Sequence, residues 1–290
     1  NCHNTGNIEV TSNSLVKGNA AIGGLIGKYP TANELKIFDA CSNSGNISYA
    51  GKSNGSTNIG GLLGYLSYSS VDGAKVPAYL VVRNGFVNTG NITHTGTTDG
   101  ADNISIGGLL GYCSFGQFSR GADVWTGDIV NRGKITCAGK SIGGIYRTGG
   151  IIGYSNTSLP ETARLVNLGE IEFTGTPGEK NGTPGTAYAG GILGHSENAT
   201  VTNAESYCTI TAQNVDYMGF IVGTPRSTTV VASNCKVGGK TLGEWDEEDQ
   251  VYEETKLSSS NYHNFIYGSG KNTDWTGTEN YDGCTLLTSA

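Results

Sequence analysis

The chain has 290 residues, of which 46 are glycine and only 15% are charged; 18 Lys and Arg stand against 25 Asp and Glu, a formal charge of −7. Nucleic acid and anionic membrane surfaces are recognised through clustered Lys and Arg, so this balance argues against both as partners. No apolar run approaches the ~18 residues that cross a bilayer, and the wealth of Asn, Ser, Thr and Gly favours strands joined by tight turns.

The chain opens on Asn1-Cys2-His3 without an initiator methionine or a signal-like segment, and reads as a mature form or a fragment that starts inside a repeat. Its first predicted strand is CHNTGNIEV (2–10), and the pattern returns as CSNSGNISY (41–49), FVNTGNITH (86–94), IVNRGKITC (129–137) and LVNLGEIEF (165–173), with VTNAESYCTI (201–210) a degraded sixth copy. Alternate residues of a strand share a face. One inward column therefore reads Cys2, Cys41, Phe86, Ile129, Leu165, Val201, and another Ile8, Ile47, Ile92, Ile135, Ile171. Between them Asn4, Asn43, Asn88, Asn131, Asn167 and Asn203 are expected to form an amide ladder. Gly6, Gly45, Gly90, Gly133 and Gly169 are expected to supply a bend of positive φ.

A second motif comes after each strand: IGGLIG (22–27), IGGLLG (59–64), IGGLLG (106–111), TGGIIG (148–153), AGGILG (189–194) and a frayed MGFIVG (218–223). Such recurrence is the mark of a solenoid. The closing glycines at 27, 64, 111, 153, 194 and 223 are 29 to 47 residues apart. The shortest step is comfortable for one turn and cramped for two, so one repeat is expected to make one rung. Leu62 and Leu63 cannot both face inward along a regular strand unless the glycines bend or bulge it. The longer repeats carry Gly-, Ser-, Asp- and Pro-rich insertions at 67–78, 97–103 and 176–186, as exposed loops do.

Beyond Gly223, VVASNCKVGG (230–239) reads as half a seventh rung with Cys235 in the column of Cys208. Residues 244–254 are acidic, and 258–268 carry a start and a stop for a short helix with Tyr262, Phe265 and Ile266 on one face. The expected division is a repeat domain over 1–239 and a capping segment over 240–290, since an open end exposes edges and core. The seven cysteines form no CxxC pair, so no zinc site is expected and at most three disulfides can form. Cys2 and Cys41, neighbours in one column, are expected to be buried thiols that act as small apolar groups, in preference to a disulfide.

The alternation of x-G-G-Φ-Φ-G-Y with an N-x-G-x-I strand resembles the GLUG-motif repeat proteins of bacterial surfaces, over residues 1 to about 239. The tail NYHNFIYG…DWTGTENYDGCTLLTS looks like the end of such proteins from gut Bacteroidota. The resemblance implies a right-handed parallel β-helix, exported to the bacterial cell surface and attached at the outer membrane, often through an upstream lipid anchor, with an adhesin-like role in binding a glycan or a host protein. It supplies no catalytic residues, and the inserted loops depart from the family's shorter repeat.

The residue after the closing glycine is Tyr65, Tyr112, Tyr154 and then His195. Stacked on successive rungs these four make an aromatic stripe, either a sugar-binding platform or a structural ladder; exposed rings favour the first, buried rings the second. Calcium at 244–254 lacks Asp-x-Asp-x-Asp spacing, and a solvated acidic loop is the better reading. Asp99, Asp102 and Asp123 could belong to a polysaccharide-cleaving groove, but no second carboxylate aligns with them. The histidines show no HExxH or Ser-His-Asp context, and His94 reads as a core residue. A non-enzymatic extracellular β-solenoid without cofactor or metal is therefore expected, the alternatives being a polysaccharide lyase or hydrolase on the same scaffold and a structural spacer.

Overall fold

The computed structural model describes all residues except 30–34, 99–102, 115–117, 119, 121, 143, 181, 226, 228, 247–250, 271–282 and 290. The described chain is nearly all β, in parallel sheets whose successive strands come from successive repeats. One full rung comprises Tyr79–Asn88, Ile92–His94, Thr97–Thr98, Ile104–Gly107 and Leu110–Ser114. Each of these strands pairs, parallel, with its counterparts in the rungs before and after.

The register places Asn43, Asn88, Asn131 and Asn167 in one column and Ile47, Ile92, Ile135, Ile171 and Ile210 in another. Ile59, Ile106, Thr148 and Ala189 form a third. One repeat is thus one rung, and the apolar columns fill a continuous buried interior.

The asparagine column is a hydrogen-bonded ladder. Asn4 Nδ2 donates to Asn43 Oδ1 at 2.7 Å, Asn43 to Asn88 at 2.7 Å, Asn88 to Asn131 at 2.8 Å and Asn131 to Asn167 at 2.9 Å. The other N–H of each amide caps the carbonyl two residues on, that of Gly6, Gly45, Gly90, Gly133 or Gly169. Buried amides are tolerable because both donors are used. The sixth copy departs from expectation. Ser206, not Asn203, pairs with Asn167, and Asn203 sits at φ 57 on the approach to the strand. Three residues are taken up before the strand begins, so Ala204 rather than Val201 succeeds Leu165 in the outermost inward column.

The sequence pattern puts the glycines of the N-x-G strand at positive φ, yet none of Gly6, Gly45, Gly90, Gly133 and Gly169 adopts it. Their role is close approach: a Cβ on Gly90 would strike the carbonyl of Gly45, and one on Gly133 that of Gly90. Stacked backbones leave no room for a side chain.

The IGGLLG motif is a corner between two strands. Thr57–Gly60 ends on the first glycine and Leu63–Ser67 begins on the second leucine, which lets Leu62 and Leu63 both be buried. A Cβ on Gly61 would collide with the carbonyl of Gly108 and with Asn88, and one on Gly108 with the carbonyl of Gly150 and with Asn131. The corner of one rung therefore seats the ladder amide of the next, and the two motifs alternate because they interlock.

After Gly223 the chain keeps adding to the stack. Lys236–Asp246 lies parallel to Glu205–Ala212 and turns back antiparallel as Val251–Lys256. The acidic run therefore lies on a β-hairpin rather than in a loop, with 247–250 outside the described residues. Glu205 pairs with Lys236, which sets Cys235 opposite Ala204 and not in the column of Cys208, whose partner is Gly239. The helix expected over 258–268 is only a 3-10 turn at Tyr262–Phe265. That turn leads into a seventh corner: Ile221 and Val222 donate their amides to Ile266, and Val222 pairs with Tyr267, so HNFIYG (263–268) stacks on MGFIVG (218–223).

Candidate functional site

The residues after the closing glycine come together as expected from their spacing. Tyr65 pairs with Lys28 and Tyr112, Tyr112 with Tyr154, and Tyr154 with His195. Rings on strands ~4.8 Å apart meet face to face. The centroids of Tyr65 and Tyr112 are 5.1 Å apart, those of Tyr112 and Tyr154 4.8 Å, and those of Tyr154 and His195 5.6 Å, all within 20° of parallel. The Lys28 ammonium lies over the outer face of the Tyr65 ring at 5.5 Å. Tyr65 and Tyr112 are half-buried, whereas Tyr154 and His195 are buried. The faces are taken up by one another, so what the stripe offers solvent is the uncovered part of Tyr65 and Tyr112.

A second column, not anticipated from the sequence, faces this one across the corner: Asn58, Ser105, Arg147 and Tyr188, each two residues before the glycine pair. Arg147 lies 4.2 Å over the Tyr154 ring, and Tyr188 leans on His195 at 4.2 Å. Both side-chain atoms of Asn58, Ser105 Oγ, Arg147 Nε and Nη1, and His195 Nδ1 are buried without a hydrogen-bond partner among the described residues. Burial, with Arg147 adding to it, holds His195 down to about 3. Burial and the nearby Glu197 carboxylate push the Tyr154 phenol up to about 12. At neutral pH Tyr154 and His195 are therefore uncharged beside the Arg147 guanidinium. A signal for this column exists in the sequence: it is the variable position just before each recurring motif.

The inserted segments build a second surface. Those that leave the stack after the strand carrying the stripe lie one above the next, along one edge. Trp125 is fully buried there, its Nε1 donating to the Leu80 carbonyl at 2.7 Å and its ring meeting Phe118 edge-on at 5.0 Å. Asp123 pairs with Arg83, and Arg120 stacks on Tyr79 at 5.0 Å. The next segment joins the one after it through the Leu159 amide to Thr200 O at 2.8 Å and the Thr200 amide to Ser158 Oγ at 3.1 Å. Two open cavities lie along this wall. One of about 360 Å³ runs between Phe118 and Val124 on one rung and Thr157, Leu159, Pro160 and Thr162 on the next. The other, about 270 Å³, lies between Thr162, Arg164, Asn203, Glu205, Asn234 and Lys236. Glu205 is held there between Lys236 at 2.8 Å and Arg164 at 2.5 Å, and the Arg164 hydrogen bond depresses its carboxyl.

Of the other candidates, Asp123 is engaged in its ion pair and Asp99 and Asp102 lie outside the described residues. His94 is fully buried, stacked on Tyr49 at 5.5 Å and bonded through Nδ1 to the Tyr146 hydroxyl at 2.5 Å. No group of three His, Cys, Asp or Glu able to hold a metal occurs among the described residues, and no helix among them is long and apolar enough to cross a membrane. No family model matches this sequence, and no match was found among the curated proteins or the solved structures.

Proposed function

We propose that the chain is a right-handed parallel β-helix that works outside the cell, on a bacterial surface, as a non-enzymatic adhesin-like recognition scaffold for a glycan or a host protein. The observation that carries this reading is the division of labour between rungs and insertions. The interior repeats in register, while the segments of differing length and composition that follow the stripe strand pack along one edge into a wall with two cavities. Variable loops on a rigid scaffold are how binding surfaces are commonly built. Beside that wall, the half-buried Tyr65 and Tyr112 and the exposed Lys28 stacked on Tyr65 supply polar groups suited to a polyhydroxylated or anionic partner.

The test is a glycan array and a host-cell binding assay with the intact chain, repeated with Thr157→Gly/Pro160→Gly/Thr162→Gly in the loop wall and with Tyr65→Ala/Tyr112→Ala in the stripe. Retained folding with binding lost in the first variant assigns the wall, and loss in the second assigns the stripe. Absence of binding to every glycan and cell type tested sinks the proposal in favour of a spacer, and release of oligosaccharide products from a polysaccharide overturns its non-enzymatic part.

A further inference from the structure

One inward column of the stack reads, rung by rung, Cys2, Cys41, Phe86, Ile129, Leu165, Ala204, Cys235 and Cys284. The strand register fixes each step: His3 opposite Ser42, Phe86 opposite Cys41, Ile129 and Leu165 in line, Val166 opposite Glu205, Glu205 opposite Lys236, and Lys236 opposite Thr285. The first two positions and the last two are all cysteine. The four middle positions are Phe, Ile, Leu and Ala. The remaining cysteines, Cys113, Cys137 and Cys208, lie in other columns.

We propose that this column is stapled by two disulfides, Cys2–Cys41 and Cys235–Cys284, each joining consecutive rungs. Residues directly opposite on neighbouring strands have Cα atoms ~4.8 Å apart, inside the range that a disulfide spans. Side chains in one column of a parallel sheet also point the same way, so the two sulfurs of each pair lie side by side on one face. At the first pair the Cys2 amide already donates to Cys41 Sγ at 3.3 Å. At the second, the Thr285 amide donates to the Cys235 carbonyl at 2.8 Å, which fixes the short strand Thr285–Leu286 with Cys284 against Cys235. All seven cysteines are in the thiol form in this structure; Cys2 is exposed rather than buried as its column suggested.

The oxidant would be a disulfide of the glutathione or dithiol-oxidase class. The thiolate of one cysteine attacks a sulfur of that disulfide and expels the other as a thiol, giving a mixed disulfide. The partner thiolate then attacks the protein-side sulfur and expels the second thiol. Two protein thiols are oxidised, one external disulfide is reduced, and the protons pass to solvent and the leaving thiolates. The facing Cys284 thiol and burial hold Cys235 well above an ordinary thiol, which slows attack once the strand has docked. The second bridge therefore forms while the last rung is assembling. Each bridge restricts the unfolded chain and ties a short strand to the neighbouring rung.

The experiment is refolding of the whole chain with reduced and oxidised glutathione, then thiol counting and peptide mapping of a non-reduced digest. The expected result is two cross-links and no others, Cys2 to Cys41 and Cys235 to Cys284, with Cys113, Cys137 and Cys208 still alkylatable. Hydrogen exchange at Thr285 and Leu287 should then slow roughly tenfold against the reduced chain, with the Asn131 rung unchanged. Seven alkylatable thiols after refolding, absence of either cross-link, or linkage to any of the other three cysteines overturns the proposal. Cys41→Ser and Cys284→Ser each should lose one cross-link and keep the other, which separates a failed bridge from a failed fold.

Discussion

Replacing Asn131 with alanine breaks the ladder at its centre. Asn131 accepts from Asn88 Nδ2 at 2.8 Å and donates to Asn167 Oδ1 at 2.9 Å and to Gly133 O at 3.0 Å, all out of contact with water. The substitution orphans the Asn88 donor and the Gly133 carbonyl, while Asn167 Oδ1 keeps the Gly169 amide at 3.2 Å. A buried polar group left without a partner costs about 1–3 kcal/mol, and partial relaxation brings the two of them to roughly 2–4 kcal/mol rather than the full sum. The same change at Asn4 removes two similar bonds, to Asn43 and Gly6, but on the solvated first rung. Water can replace them there, and the cost should stay near the ~0.5 kcal/mol of an ordinary surface change. Equilibrium urea unfolding of both variants measures the difference, and hydrogen exchange locates it on the rungs flanking residue 131. Equal losses at the two positions, or a loss at Asn131 below ~1 kcal/mol, would refute the claim that the ladder holds the stack together.

His94 makes the fold acid-sensitive. Burial holds its folded pKa down to about 3 against an ordinary ~6.5, so the unfolded chain binds the extra proton first. Its stabilising effect is complete above pH 6.5 and is lost as pH falls toward 3; between pH 7 and 5 it amounts to roughly 2 kcal/mol at 1.36 kcal/mol per unit. His94→Phe, which keeps the stack on Tyr49, should shrink the pH 7-to-5 drop in urea midpoint, and an unchanged drop would discount the residue. Gly133→Ala forces a Cβ against the Gly90 carbonyl and should cost about 1–3 kcal/mol or more. Gly73→Ala, at φ 79 with open space around it, should cost only the ~1–2 kcal/mol of a left-handed residue; thermal unfolding compares the pair. If the loop wall binds as proposed, Trp125→Ala should abolish that binding while circular dichroism still reports an intact β stack, since the side chain anchors an insertion.

The rung architecture was legible because strict spacing is what a stack requires: Asn43, Asn88, Asn131 and Asn167 recur with a glycine two residues on, and the structure puts them in register. Legibility failed where local signals compete with stacking. Asn203 carries the right letter three residues too early, because a left-handed residue and its loop precede Ser206. Ser258 and Gly268 bracket a plausible helix, but the edge left by Met218–Gly223 offers backbone partners that an isolated turn of helix lacks, and HNFIYG answers it as a corner. The stripe of Tyr65, Tyr112, Tyr154 and His195 could be read from spacing. Arg147 could not, since its column changes from Asn to Ser to Arg to Tyr.

The degradation of the two motifs toward the C-terminal end is itself ordered. Each corner's second glycine seats the ladder residue of the next rung: Gly24 against Asn43, Gly61 against Asn88, Gly108 against Asn131, Gly150 against Asn167, and Gly191 against Ser206. In the next corner that glycine is Phe220, and the ladder position it would face, set by Ser206 opposite Val237, is valine. One rung further on, Phe265 takes the corner and Leu286 the ladder. Phe220 and Val237 are fully buried. Asparagine is thus retained only where a glycine leaves space for its amide and a neighbouring asparagine or carbonyl satisfies it. Once the aromatic ring fills that space, an amide would be stranded and an aliphatic side chain packs instead. The two motifs decay together because each is the packing surface of the other, and the stack passes from a polar ladder to an apolar plug as it approaches its last rung.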